Sequence, residues 1–391
     1  MRLTGPRAAS WRGPGRLRDG DAVTQERAGA AMSEERLVIR RPDDWHLHLR
    51  DGAMLEAVLA ATARVFARAV VMPNLAPPVV TVRDAAAYRN RIGAAPKGGG
   101  RFTPLMTLYL TDDTDPEEIA KGYNAGVVFA CKLYPQNATT NSQSGVSDID
   151  RIRGVIARME ALDVPLLIHG EVTDDDVDVF DREAVFIERV LAPLLQDFPG
   201  LRVVLEHITT KEAVDFVTEG PARLAATVTP HHLMAERNDM LGYGIRPHLF
   251  CLPVLKRARH RDALRRIVAA GHPRVFLGTD SAPHGIGDKQ ALCGCAGIFN
   301  APVAMEAYAT VFEEMGALDR LENFASHFGA EFYGLPVNEE TLILERAPWT
   351  VPESLDVGGG ANGGAVRPFL AGETLNWRVA GIGPPSKGPV L

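Results

Sequence analysis

Eight short apolar runs separated by longer amphipathic stretches constrain this chain more than any other feature. The first spans residues 37–39 and continues toward 45–49; the others are 69–73, 105–110, 127–133, 164–168, 202–205, 224–228 and 274–277. None alternates cleanly between apolar and polar residues. A strand with one wet face alternates, whereas a strand covered on both faces reads as a continuous apolar run. The runs are therefore expected to be interior strands of a parallel sheet flanked by helices. The spacing predicts those helices over 54–68, 84–92, 116–124, 148–162, 182–196, 211–217 and 261–270. Several open behind Asp or Thr, as Asp181 does before the fifth, and such side chains satisfy the free N–H groups of a first helical turn. Strands alternating with helices leave two architectures, an α/β (β/α)8 barrel of the TIM type or an open doubly wound sheet, and eight strands favour the barrel. Past residue 339 the pattern changes to a glycine-rich loop at 358–364 and a strand-like segment over 367–379. The expected organisation is an extension at 1–34 outside the fold, a hydrolase barrel over 35–340, and a C-terminal extension over 341–391 packed on the barrel.

Composition narrows the class. With 46% hydrophobic and 23% charged residues the chain is ordinarily globular, and a net charge of -7 argues against a general nucleic-acid surface. No run approaches the ~18 apolar residues of a membrane span. Residues 1–31 carry six arginines and no apolar core, which argues against a secretory signal. Asp19, Asp21 and Glu26 argue against a transit peptide, and Met32 would serve as an alternative start. Cys131, Cys251, Cys293 and Cys295 are too sparse for a disulfide scaffold, so a reducing, cytoplasmic setting is expected. Cys293-Gly294-Cys295 resembles half a metal site, but no second pair accompanies it, and it reads as a free-thiol loop.

The polar residues at the ends of these runs carry the chemistry. His46 and His48 end the first, Asn74 the second, Lys132 the fourth, His169 the fifth, His207 the sixth and Asp280 the eighth. Barrel enzymes place their chemistry at these C-terminal strand ends. His46 and His48, two residues apart on a strand, share a face and can reach one metal ion. Lys132 is the unusual member. Burial penalises its ammonium, and the neutral amine can add to CO2 to give an anionic carbamate. Its alternative is an ion pair with a carboxylate or an anionic substrate, and the residues alone favour that second role. Arg50 shares the face of His48 and suits a carboxylate clamp, or else pairs with a nearby acid such as Asp51. His231 and His232, just past the seventh run, read as structural, His248 and His260 lie outside the metal set, and His272 and His327 read as surface or packing residues.

Taken together, these segments resemble the dihydroorotase family in its shorter bacterial type, within the amidohydrolases. Trp45-His46-Leu47-His48-Leu49-Arg50 is similar to the family's first metal motif. Met72-Pro73-Asn74, Lys132-Leu133-Tyr134-Pro135, His169-Gly170-Glu171, Glu206-His207-Ile208-Thr209-Thr210, Gly278-Thr279-Asp280-Ser281-Ala282-Pro283-His284 and Cys293-Gly294-Cys295-Ala296-Gly297 resemble later ones in order. The resemblance implies reversible cyclisation of N-carbamoyl-L-aspartate to L-dihydroorotate in pyrimidine (UMP) biosynthesis. It implies two zinc ions per subunit, one on His46, His48 and Asp280, the other on His169 and His207, bridged by Lys132 as N6-carboxylysine and sharing a hydroxide. Asp280 would shuttle the proton. Arg50, Asn74 and His284 would hold the substrate carboxylate, with His48 and His169 also touching substrate. Backbone groups at Leu252 and Ala296 would meet the pyrimidine ring, and Thr139 and Thr140 would act from a mobile lid. A homodimer is implied, with no nucleic-acid or membrane partner. A hydantoinase or dihydropyrimidinase would share the metal set without needing the carboxylate grip; an inactive barrel would be expected to lose metal residues.

Overall fold

The computed structural model describes residues 36–385 apart from 99, 243, 293 and 359–363. The extension at 1–34, the alternative start at Met32 and the thiol of Cys293 therefore lie outside the described residues. Among the described residues no helix is long and apolar enough to cross a membrane.

The first apolar run divides into two strands that serve different sheets. β1 (Arg36–Arg40) is followed by the barrel strands β2 (Asp44–Leu47), β3 (Arg68–Val71), β4 (Thr103–Tyr109), β5 (Ala130–Leu133), β6 (Leu166–His169), β7 (Val203–Glu206), β8 (Leu224–Val228) and β9 (Val275–Leu277). β10 (Thr341–Thr350), β11 (Leu355–Asp356), β12 (Ala365–Val366) and β13 (Thr374–Gly383) complete the described strands. β1 does not run on into β2, as the apolar pattern suggested, but pairs antiparallel with β10, which pairs with β13. Pro42, which has no N–H to donate, lies in the break. Arg41 beside it is buried, and its guanidinium donates to the carbonyls of Ala63, Val65, Phe66 and Arg101.

Strands β2 to β9 lie in sequential order and every neighbouring pair is parallel. The ends of the sheet meet: Asp280 N donates to His46 O at 2.8 Å and His48 N to Ser281 O at 2.9 Å. This is the (β/α)8 barrel, and those closing bonds exclude the open sheet. Inward and outward residues alternate as period two requires. Ala130, Leu167 and Val204 join the barrel's inner apolar cluster, while their neighbours Cys131, Leu166, Ile168, Val203 and Leu205 pack outward beneath the helices. One step of two further along each strand stands a polar residue: Lys132, His169 and Glu206. The inner core thus ends in a polar layer at the C-terminal mouth.

The predicted helices recur, most with shifted ends and one, 116–124, with the ends expected. Pro116–Asn124 has Asp115 as its cap and Pro116 in its first turn. The 182–196 segment is a helix interrupted by a π-turn at Ile187–Leu191. Ala304–Glu314 went unpredicted. Eight of its residues are buried, so it lacks the broad polar face that makes a helix visible as a pattern.

Candidate active site

Seven buried side chains meet at the barrel mouth: His46, His48, Lys132, His169, Glu206, His207 and Asp280. Nε2 of His46 and Nε2 of His48 lie 3.4 Å apart, and Asp280 Oδ1 lies 3.2 Å from the first and 3.1 Å from the second. Lys132 Nζ donates to Glu206 Oε2, and Glu206 Oε1 lies 2.9 Å from His46 Nδ1. The His207 ring stands 4.8 Å from that of His46 and 4.9 Å from that of His169. Nε2 of His169 contacts Glu171 Oε2 at 2.8 Å rather than the other rings.

Local backbone aims these groups. Arg50, His207 and Asp280 have φ of 58°, 44° and 45°, the left-handed region that side chains with a Cβ rarely adopt. Each stands just past a strand end, where the chain turns off the barrel and its side chain points into the mouth. Such conformations cost about 1–3 kcal/mol each and gather at functional sites.

Burial and charge then set the protonation states. Burial pulls His46 down, but the Glu206 and Asp280 carboxylates outweigh it and raise the ring to about 9. Burial, reinforced by the Arg50 charge, takes His48 down to about 4. His207 is lowered well below the usual histidine range by burial. Lys132 is lowered by burial against the opposing pull of Glu206. Burial alone would raise Asp280, yet bonds to His46 and His48 hold it well below the usual carboxylate range.

This donor set fits a metal ion. Ligand atoms about 2.0–2.2 Å from a tetrahedral zinc stand roughly 3.3–3.6 Å from one another, close to the mutual spacing of His46 Nε2, His48 Nε2 and Asp280 Oδ1. His46, Glu206 and His207 form a second convergent group. His46 Nδ1, Glu206 Oε1 and His207 Nδ1 are also buried without an aligned hydrogen-bond partner. Unsatisfied buried polar atoms are costly, and a cation would relieve them.

A narrow cleft opens onto this cluster, lined by His46, His48, His169, His207 and Asp280 together with Arg50 and Asn74. Arg50 reaches His284 Nε2 through Nη2 at 2.9 Å and donates from Nε to Pro283 O at 3.1 Å. Burial and the Arg50 charge lower His284 to about 3, so it is neutral and accepts. Asn74 Oδ1 meets His48 Nδ1 at 2.8 Å, and its Nδ2 donates to Thr140 O at 3.0 Å. Thr140 Oγ1 donates to Ala296 O at 3.3 Å, which lays the 137–145 loop across the cleft. Thr139, Leu252 and Ala296 line it.

The sequence motifs single out His207 and not its neighbour Glu206. The signal was available: Val204 faces inward, so period two puts Glu206 inward as well. Tyr134 was also missed as a lining residue; its ring lies 4.8 Å from Lys132 Nζ and its hydroxyl is buried without a partner.

The sequence profile of the Amidohydrolase family matches residues 39–340. The chain is 61% identical to a dihydroorotase of Erwinia tasmaniensis over 345 residues, covering 88% of this chain and 98% of that one. It is similar to the structure of a dihydroorotase from Saccharomyces cerevisiae in complex with 5-fluoroorotic acid, with a TM-score of 0.82 and 32% identity over 90% of this chain and all (100%) of the other. An L-hydantoinase (dihydropyrimidinase) from Arthrobacter aurescens has a TM-score of 0.73 at 17% identity over 91% of this chain and 87% of its own, a likeness of fold alone.

Proposed function

The chain belongs to the dihydroorotase family of amidohydrolases, and we propose that it interconverts N-carbamoyl-L-aspartate and L-dihydroorotate in the cytoplasmic synthesis of pyrimidines. The observation that carries this is that the His46–His48–Asp280 donor cluster and Arg50, which His284 contacts from behind the lining, share one cleft. The first suits hydrolysis of a cyclic amide; the second suits a substrate that also bears a carboxylate.

His46, His48 and Asp280 would hold one zinc ion, and His169 and His207 the other. Lys132 would lie between them. When bound, the two ions supply Lewis acidity and a water of lowered pKa for attack on the ring carbonyl. Lys132 is prepared for carboxylation by burial, which favours the neutral amine. The ammonium gives up one proton, the neutral nitrogen then adds to CO2, a C–N bond forms and a second proton leaves, so a cation that would repel metal becomes an anion that attracts it.

Asp280 moves the proton. It is ionised at neutral pH and can accept a proton from the attacking water. It then delivers that proton to the departing ring nitrogen. In the synthetic direction it takes the proton from the carbamoyl nitrogen. Arg50 presents a planar charged fork to the substrate carboxylate, with neutral His284 and Asn74 as partners. Asn74 also holds His48 through Nδ1, which links carboxylate binding to the orientation of that ring. Backbone groups of Leu252 and Ala296 meet the ring, and the loop bearing Thr139 and Thr140 closes over it and excludes water. The subunit works as a homodimer.

Turnover of dihydroorotate against dihydrouracil tests this reading, since the second lacks only the carboxylate. Dihydroorotate is expected to be preferred by about a hundredfold or more in kcat/KM. A preference for dihydrouracil would sink the substrate assignment. Zinc below one per chain, with no turnover after zinc and bicarbonate are added, would sink the enzyme.

A further inference from the structure

Lys289 ends the short helix Ile286–Lys289, outside the metal cluster, and is almost wholly buried. Its three ammonium protons have three partners, all neutral carbonyls. Nζ donates to Phe250 O at 2.7 Å, Cys295 O at 2.8 Å and Gly297 O at 2.7 Å. Burial lowers Lys289 to about 8, so at neutral pH it still carries its full set of donors. A compact ammonium suits this pocket, whereas a planar guanidinium would spread its donors in one plane.

The two stretches it joins carry residues that line the cleft. Leu252 lies two residues past Phe250, and Ala296 lies between Cys295 and Gly297. Phe250 O also accepts from Gly297 N at 3.0 Å, so the stretches are bonded directly as well as through the ammonium. Gly297 has φ of 145°, and a Cβ there would lie 2.7 Å from Ala282 O and 2.9 Å from His284 Cδ2. The chain therefore passes His284 with no slack. On its other side Ala296 O accepts from Thr140 of the loop over the cleft.

We propose that Lys289 is a positioning residue for substrate binding: by tying Phe250 to Cys295 and Gly297, it fixes the backbone groups of Leu252 and Ala296, the seat of His284, and the landing point of the Thr140 loop. This deepens the function proposed above and rests on it. The clamp touches neither the metal residues nor Asp280, so it acts on binding rather than on the chemical step. It also accounts for the glycine in Cys295-Ala296-Gly297, a motif whose thiol is not needed for the role.

The test is steady-state kinetics of Lys289→Met with dihydroorotate, together with zinc content. Methionine keeps the length and removes every donor. KM is expected to rise about tenfold or more while kcat changes less than about threefold, with zinc per chain as in the unsubstituted enzyme. An unchanged KM overturns the proposal. So does a loss of zinc or a fall in kcat alone, because either would place Lys289 in the fold or the chemistry. If Lys289→Met does not fold, Lys289→Gln, which keeps one donor group, carries the same comparison with the same outcomes. Failure of the underlying function is separately visible, since the unsubstituted enzyme would then not turn over dihydroorotate at all.

Discussion

Two buried histidine pairs stand at the barrel mouth, and they differ in one respect. His46 and His48 share a strand face with their Nε2 atoms 3.4 Å apart, while His231 and His232 are adjacent in the helix Pro230–Met234 with ring centroids 4.5 Å apart. Burial pushes His231 well below its usual range and His232 to about 4, with neighbouring cations adding to the effect. The same burial acts on the first pair and takes His48, with one carboxylate contact and the Arg50 charge beside it, to about 4, yet His46, held by two carboxylates, rises to about 9. The difference is carboxylate. Asp280 and Glu206 contact His46, whereas His232 meets Thr229 Oγ1 at 2.8 Å and Pro253 O at 3.1 Å, and His231 Nδ1 meets Asn300 Nδ2 at 3.2 Å. A buried histidine is neutral by default, and neutral partners make it a packing device. Carboxylates of fixed position make the same side chain part of a candidate cation site. Cys251 brings the second pair within ligand distance of one another, but its thiol is raised to about 12, chiefly by burial, and donates to Pro253 O.

The sharpest way to break this contrast is Lys132→Ala. It removes the group that would lie between the two ions, and zinc and turnover should fall together, by about a thousandfold or more in activity. Zinc analysis beside kinetics checks it, and full zinc with normal turnover would refute the assignment. Asp280→Ala strips a carboxylate from the first pair. Turnover should fall roughly 10²–10⁴-fold, the range for loss of a general acid–base group, while part of the zinc is retained on the remaining ligands. Arg50→Ala leaves both pairs intact; KM should rise about tenfold to a hundredfold with a smaller change in kcat, and unchanged kinetics would remove Arg50 from the clamp.

The smallest effect belongs to the second pair. His232→Asn should leave zinc content and kcat near those of the unsubstituted enzyme and cost about 1–3 kcal/mol of stability. Its pH dependence has a definite sign. His232 titrates at about 4 when folded against 6.5 when unfolded, so the stability it contributes is complete above 6.5. That contribution is lost as pH falls from 6.5 toward 4. The lost increment is on the order of 3 kcal/mol. Urea midpoints measured across that window should therefore converge for the two proteins as pH falls; a constant gap would show that His232 titrates in the fold as it does in the unfolded chain.

The barrel and the residue types at its mouth were legible in the sequence because both rest on local rules. A strand covered on both faces reads as an apolar run, and period two then names which end residue turns inward. That logic reached His46, His48, Lys132 and His169, and would have reached Glu206 had Val204 been taken as the inward residue. It failed where two strands shared one apolar run: β1 and β2 are told apart only by their partners, β10 in one sheet and β3 in the other. It failed again for Ala304–Glu314, whose burial on most sides erased the amphipathic signal.

The sequence by itself thus determined the architecture, the donor types and their order along the chain, since these depend on residues within a few positions of each other. Only the tertiary structure decided what each buried lysine amine does. Lys132 faces Glu206, which is 74 residues away in the chain, and Lys289 faces Phe250, which is 39 residues away. Burial pulls both amines in the same direction, but a carboxylate partner and a set of carbonyls give them different roles. Charge and hydrogen-bond partners act through space at a few ångströms, and the closing of the barrel is what brings those partners within reach.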